Sequence, residues 1–171
     1  MIETEFEIKN KVAESGLITI DLETFYHNGE LVLFDIKPWL FREMILKEKD
    51  FREQVKTHNW QQYTGKNIAF TCTADAIVPT WAYMLLGIAV KPYANRFVFG
   101  NLETLESILF IDALSKINPK DYIDKRVIIK GCGNVPITPF AYVELTNLLL
   151  PYAKTVMYGE ACSNVPLFKK K

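Results

Sequence analysis

The chain has 171 residues, 49% hydrophobic and 23% charged, which points to a folded protein with a core of its own and excludes a disordered or stapled mini-protein. Twenty basic residues balance twenty acidic ones, which excludes a global field that would draw the molecule to nucleic acid or to a membrane surface. The single basic run, Lys169-Lys170-Lys171, reads as a solvated tail.

The N-terminal Met1-Ile2-Glu3-Thr4-Glu5-Phe6-Glu7 is acidic, where a secretory signal carries positive charge ahead of an apolar stretch. After it, residues 16–22 and 31–36 read as strands, joined as a hairpin through His27-Asn28-Gly29, because Asn-Gly is a strong turn signal. Residues 42–52 are charge-rich, as on a solvated helix face, and 50–58 form a helix ending before Asn59 and Trp60. This N-terminal β-rich extension, 1–62, is expected to cover or extend one edge of a sheet.

From Tyr63 onward the chain repeats itself. With Tyr63 placed over Tyr122, 59 residues apart, Lys66 falls on Lys125, Ala82-Tyr83 on Ala141-Tyr142, and Leu86 on Leu145. In the same ungapped register Pro92-Tyr93-Ala94 falls on Pro151-Tyr152-Ala153 and Gly100 on Gly159. In each copy (63–101 and 122–160) a short apolar strand, at 67–72 or 126–130, precedes a polar loop and an apolar helix, at 80–90 or 140–150. Thr138-Pro139 reads as an N-cap with proline at the first helical position. Pro92 and Pro151 stop the helices, and second strands at 96–99 and 155–158 end at Gly100 and Gly159. Between the copies, 102–117 has helical spacing behind Asn101, a good N-cap. The fold expected is α/β in a single domain spanning 1–171. It is a mostly parallel sheet of two tandem β-α-β repeats, Rossmann-like and three-layered, with right-handed crossovers.

Ligands bind such sheets outside the carboxyl ends of the strands. The loops there begin at Thr71, Gly100, Gly131 and Gly159, and they hold all three cysteines, Cys72, Cys132 and Cys162. An odd count argues against a closed disulfide framework, and cytoplasmic, free, buried or ligated thiols follow. Cys132-Gly133-Asn134-Val135-Pro136 recurs as Cys162-Ser163-Asn164-Val165-Pro166, so two loops are expected to present the same face. Singly, a cysteine behaves as a small buried hydrophobe and Asn-x-Pro suits a rigid turn. Together, three thiolates suit zinc or an iron–sulfur cluster, with a fourth ligand from Asp75, Asp35, a histidine, water or another subunit. A reactive thiol at a helix N-terminus is the other reading. Gly131-x-Gly133 resembles a nucleotide-binding turn but lacks the third glycine. Asp21, Asp35 and Lys37 sit at strand ends, where catalytic and capping roles look alike. The tyrosines and Trp81 read as core.

Residues 16–23 (Gly-Leu-Ile-Thr-Ile-Asp-Leu-Glu), 33–37, 48–53, 74–84, 130–134 (Lys-Gly-Cys-Gly-Asn), 141–146 and 158–167 (Tyr-Gly-Glu-Ala-Cys-Ser-Asn-Val-Pro-Leu) resemble a bacterial family known only as a domain of unknown function, DUF2480. The resemblance covers nearly the whole chain and brings no activity and no catalytic residues. It implies a link to iron–sulfur assembly proteins as partners, since members are often encoded beside SUF-type assembly genes. The leading expectation is therefore a metal or iron–sulfur protein using Cys132, Cys162 and Cys72, accessory to cluster assembly or metal handling. A second is a small-molecule enzyme or binder at the same edge, with Asp75 as acid/base and Asn101, Gly131, Gly133, Asn134 and Asn164 as binding groups. A third is a protein-interaction module, a homodimer among its forms. No nucleic-acid or membrane partner is expected, the longest non-polar run, 81–90, being about half a membrane span.

Overall fold

A computed structural model describes residues 16–131 and 133–171. In chain order it contains β1 (Leu17–Asp21), β2 (Leu31–Asp35), α1 (Glu48–Thr57), β3 (Asn67–Thr71), α2 (Thr80–Val90) and β4 (Arg96–Phe99). These are followed by α3 (Leu102–Leu114), β5 (Arg126–Lys130), α4 (Pro139–Leu149), β6 (Thr155–Glu160) and β7 (Ser163–Lys169). The chain divides into two compact units. One is discontinuous, Met1–Tyr26 with Ile111–Lys171, and the other, His27–Phe110, is a single stretch inserted between those two parts of the sequence.

Each unit has its own sheet, ordered β1-β5-β6-β7 in the discontinuous unit and β2-β3-β4 in the inserted one. All neighbours are parallel except β6 and β7. This corrects the single sheet of four parallel strands expected from the repeat, and it corrects the hairpin. β1 pairs with β5 and β2 with β3, so the two strands flanking Asn28-Gly29 never pair with each other. They occupy the same place in their two sheets. Leu17 faces Arg126 as Leu31 faces Asn67, and Asp21 faces Lys130 as Asp35 faces Thr71, partners that are again 59 residues apart.

The strands form where they do because apolar side chains are available on both faces. Four of the five β3 residues are buried, and Val127, Ile128 and Ile129 of β5 are all but inaccessible, as central parallel strands require. The buried polar Asn67 is satisfied, its side-chain amide donating to Asn28 O at 2.9 Å. In α4, Ala141, Leu145 and Leu149 recur every four residues and are fully buried, so one stripe of the helix faces the core. In the inserted unit Ala82, Leu86 and Val90 do the same beside Phe34, Phe51, Ile68 and Phe70. Full burial of one such leucine stabilises the fold by about 1.5–3 kcal/mol. Thr138 stands at the N-cap of α4 with Pro139 behind it, as expected, but its hydroxyl makes no capping bond. The second face of the inserted sheet packs Ala69 and Val98 against Leu105 of α3.

Candidate functional site

At the carboxyl edge of the inserted sheet, β2 ends in Asp35. Its Oδ1 accepts the N–H groups of Lys37 at 2.9 Å and of Thr73 at 3.1 Å, and the Thr73 hydroxyl donates to Oδ2. Burial alone would raise this carboxyl. The bonds from Thr73 and Lys37, and the Lys37 charge, outweigh it and hold the group below its ordinary value of 3.8, so Asp35 stays ionised. One residue along from Thr73, Cys72 Sγ lies 3.9 Å from Ala74 O. From α2, Tyr83 completes the group. Burial pushes its phenol above the ordinary value of 10.0, and the charges of Cys72 and Asp35 push the same way, so its hydroxyl stays protonated and able to donate. The Tyr83 ring stands edge-on to Phe99 at 4.7 Å, over a cavity of about 530 Å³ lined by Phe70, Val78, Tyr83, Met84, Phe97 and Phe99.

The discontinuous unit carries the counterpart, with different chemistry. Asp21 again accepts the N–H two residues ahead, from Glu23 at 3.0 Å. Where β3 has Thr71, β5 has Lys130, whose Nζ lies 3.3 Å from Asp21 Oδ2 and 3.4 Å from Glu160 Oε1. The hydrogen bond to Asp21, and then the Glu160 charge, raise the Lys130 ammonium above 10.5. The equivalent cavity is about 430 Å³, under the Tyr142–Tyr158 ring pair at 5.6 Å, and β7 supplies Val165 and Leu167 to its wall. The Gly131-x-Gly133 pair is explained by the protein's own side chains. A Cβ on Gly131 would meet the Tyr142 hydroxyl at 2.8 Å, and one on Gly133 would meet the Glu23 carboxylate. That carboxylate also accepts the Asn134 N–H at 3.1 Å. The turn therefore makes room for Tyr142 and Glu23.

The expected metal centre does not assemble in what is described. Cys132 lies outside the described residues. Cys72 belongs to the inserted unit, and Cys162 sits exposed in the turn between β6 and β7 of the other. Among the described residues no three His, Cys, Asp or Glu side chains are grouped as metal ligands would be. The recurring Cys-x-Asn-Val-Pro motif also lies on unlike backbones. Residues 163–166 are antiparallel strand, whereas residues 133–136 lie in a loop after β5, so the expectation of two matching loops is corrected. Of the other candidates, Asn101 caps α3 by accepting the Thr104 N–H at 2.8 Å, Asp75 is exposed, and the Asn164 amide reaches Ala161 O at 3.4 Å. Thr73 and Tyr83 were not singled out. Their signal was the shared ending of Leu17-Ile-Thr-Ile-Asp and Leu31-Val-Leu-Phe-Asp, which marks Asp35 as a strand end beside β3.

A family model described as a protein of unknown function, DUF2480, matches residues 6–170. The chain belongs to the DUF2480 family. No curated protein and no solved structure matches it. For this DUF2480 protein the side chains themselves are therefore the guide to function. Among its described residues no helix is long and apolar enough to cross a membrane.

Proposed function

We propose that this DUF2480 protein binds a small molecule at the carboxyl edge of the β2–β3–β4 sheet, in the cavity beneath Tyr83 and Phe99. One observation carries the reading. A cavity of about 530 Å³, apolar along most of its lining, has at its wall a protonated phenol that feels the charge of Asp35. That volume is within the range of small-molecule sites, and an apolar pocket with few polar groups is their usual make-up. The complementary ligand has a flat apolar body for the lining and a cationic group attracted by the Asp35 charge that reaches Tyr83 at the wall. A metal or cluster role has no grouped ligands to rest on among the described residues.

The test is a titration with small aromatic amines such as tyramine and benzylamine, followed by NMR of ¹⁵N-labelled protein. Shifts are expected at Tyr83, Phe99 and Thr73, and they should be lost in Tyr83→Ala and weakened in Asp35→Asn. No saturable shift at these residues, or unchanged affinity in both variants, would sink the reading.

A further inference from the structure

β4 ends the inserted sheet, and among the described residues no strand pairs with its outer edge. Its counterpart 59 residues on is β6, whose outer edge β7 covers. The covered edge shows what the open one offers. Pro166, which has no N–H, sits opposite Met157, so that pair is not hydrogen-bonded, and Tyr158 opposite Val165 turns its backbone groups toward β7. Met157 corresponds to Val98 and Tyr158 to Phe99. The bond from Gly100 N–H to Phe70 O, at 2.9 Å, agrees with this. Val98 and Gly100 face β3, and Phe97 and Phe99 turn their N–H and C=O groups outward.

The surroundings of this edge are apolar as well. Phe99, Met84 and Ile88 are 65%, 64% and 70% exposed. Where α4 carries Glu144, Thr146 and Asn147, α2 carries Leu85, Gly87 and Ile88. A helix that is apolar all round belongs under cover.

We propose that this face joins two copies of the chain, their β4 strands pairing antiparallel about a two-fold axis perpendicular to the sheet. A two-fold in that direction keeps each side chain on its own face. One register pairs both outward residues of each strand: Phe97 opposite Phe99 of the second copy, and Val98 opposite Val98 of the second copy. Sliding the strands by two residues, the smallest shift that keeps the faces, would set Phe99 against Asn95, whose N–H is already given to Lys66 O, or Phe97 against Asn101 beyond the strand. The favoured register puts two aromatic cross-strand pairs on the α2 side, where Val165 and Leu167 stand in the other unit. It also sets Arg96 against Gly100, so no like charges meet. The strand is thus complementary to itself in hydrogen bonding, in shape and in charge, which is why a second copy is the occupant.

The test is sedimentation of the full chain across a concentration series, with hydrogen exchange at the Phe97 and Phe99 amides. The expected mass is twice 19.7 kDa, with both amides protected at high concentration and exposed on dilution. Phe99→Pro removes an outward N–H that β3 does not use, and Phe99→Glu places a charge in the aromatic pair without altering the backbone. Each should give a monomer with an unchanged far-UV circular dichroism spectrum. A wild-type monomer at every concentration overturns the proposal, and so does a dimer that survives both variants. A monomer in which the two amides stay protected also overturns it, because a segment of the same chain would then cover β4.

Discussion

Gly87 sits on the buried face of α2, where a Cβ would come within 2.7 Å of Phe97 Cε2. Two effects oppose each other in Gly87→Ala. Alanine is favoured over glycine in a helix interior by about 1 kcal/mol. Overpacking a filled site costs about 1–3 kcal/mol. The Phe97 ring is only partly buried and is able to swing, which places the cost near the middle of that range, and the net expectation is destabilisation by about 1 kcal/mol. The sign should reverse once the ring is gone. In a Phe97→Val background the same change should stabilise by about 1 kcal/mol, a coupling of about 2 kcal/mol in the double-mutant cycle. The other unit already carries the exchanged pair, with Thr146 in the helix and Val156 in the strand. Urea unfolding followed by tryptophan fluorescence reads the right region, since Trp39, Trp60 and Trp81, all three tryptophans, lie in the inserted unit. If Gly87→Ala stabilises in both backgrounds and the two effects simply add, the steric argument is wrong.

Asp35→Ala strips an acceptor from two N–H groups and a hydroxyl, and should cost about 1–2 kcal/mol, the low end for a charged acceptor because the site is partly exposed. Because the folded carboxyl is held below 3.8, its contribution is present above that value and is lost as pH falls through the folded pKa; Asp35→Asn should flatten this acid dependence in fluorescence melts. His58 acts in the same sense, in a higher pH window. Burial among Phe34, Trp39, Trp60 and Tyr63 lowers it below 6.5, so the unfolded chain takes up the proton first. Its contribution is full above 6.5 and declines as pH falls below it. The urea midpoint should drop through that window in the wild type but not in His58→Phe, and identical curves would refute the assignment. In the discontinuous unit, Leu145→Ala empties a fully buried site and should cost about 2–5 kcal/mol by circular dichroism; a loss under about 1 kcal/mol would contradict the packing described.

The helices and the parallel strands of the two copies were legible because each rests on local chemistry. Apolar runs such as Ile68–Phe70 and Val127–Ile129 suit strands buried on both faces, and Pro92 and Pro151 follow helices they cannot continue. What failed was pairing between distant segments. Asn28-Gly29 is a good local turn, yet Gly29 (φ 94°) serves a passage between two units, and β1 finds its partner more than a hundred residues away. β7 was hidden by its own composition. Ser163-Asn-Val-Pro-Leu-Phe-Lys has a proline and a basic end, and it is a strand because β6 supplies an edge on which Pro166 needs no donor. Cys72 follows β3 and Cys162 follows β6, and proximity to strand ends in sequence does not show which sheet a strand joins.

The register of β1 and β2 extends the 59-residue correspondence beyond the original repeat. Each unit is one strand ending in Asp laid beside a β-α-β element, with Asp21 and Asp35 at the same step and each accepting the N–H two residues ahead. The two units then spent their freedom differently. The discontinuous unit filled its strand-end corner with a Lys130–Asp21–Glu160 ion network, and β7 closed its outer edge. The inserted unit kept a neutral Thr73 hydroxyl, a thiol and a half-buried phenol at the corner, left β4 open, and has the larger cavity, lined by Tyr83 and by Phe97 and Phe99 of β4. Where two copies begin alike, the one whose polar groups and apolar surface are left available is the better candidate for binding. The proposed binding therefore belongs to the inserted unit, and the two units can be compared directly. Ligand shifts should appear around Tyr83, and the matching residues around Tyr142 should stay still, because there β7 already occupies the place a partner would take.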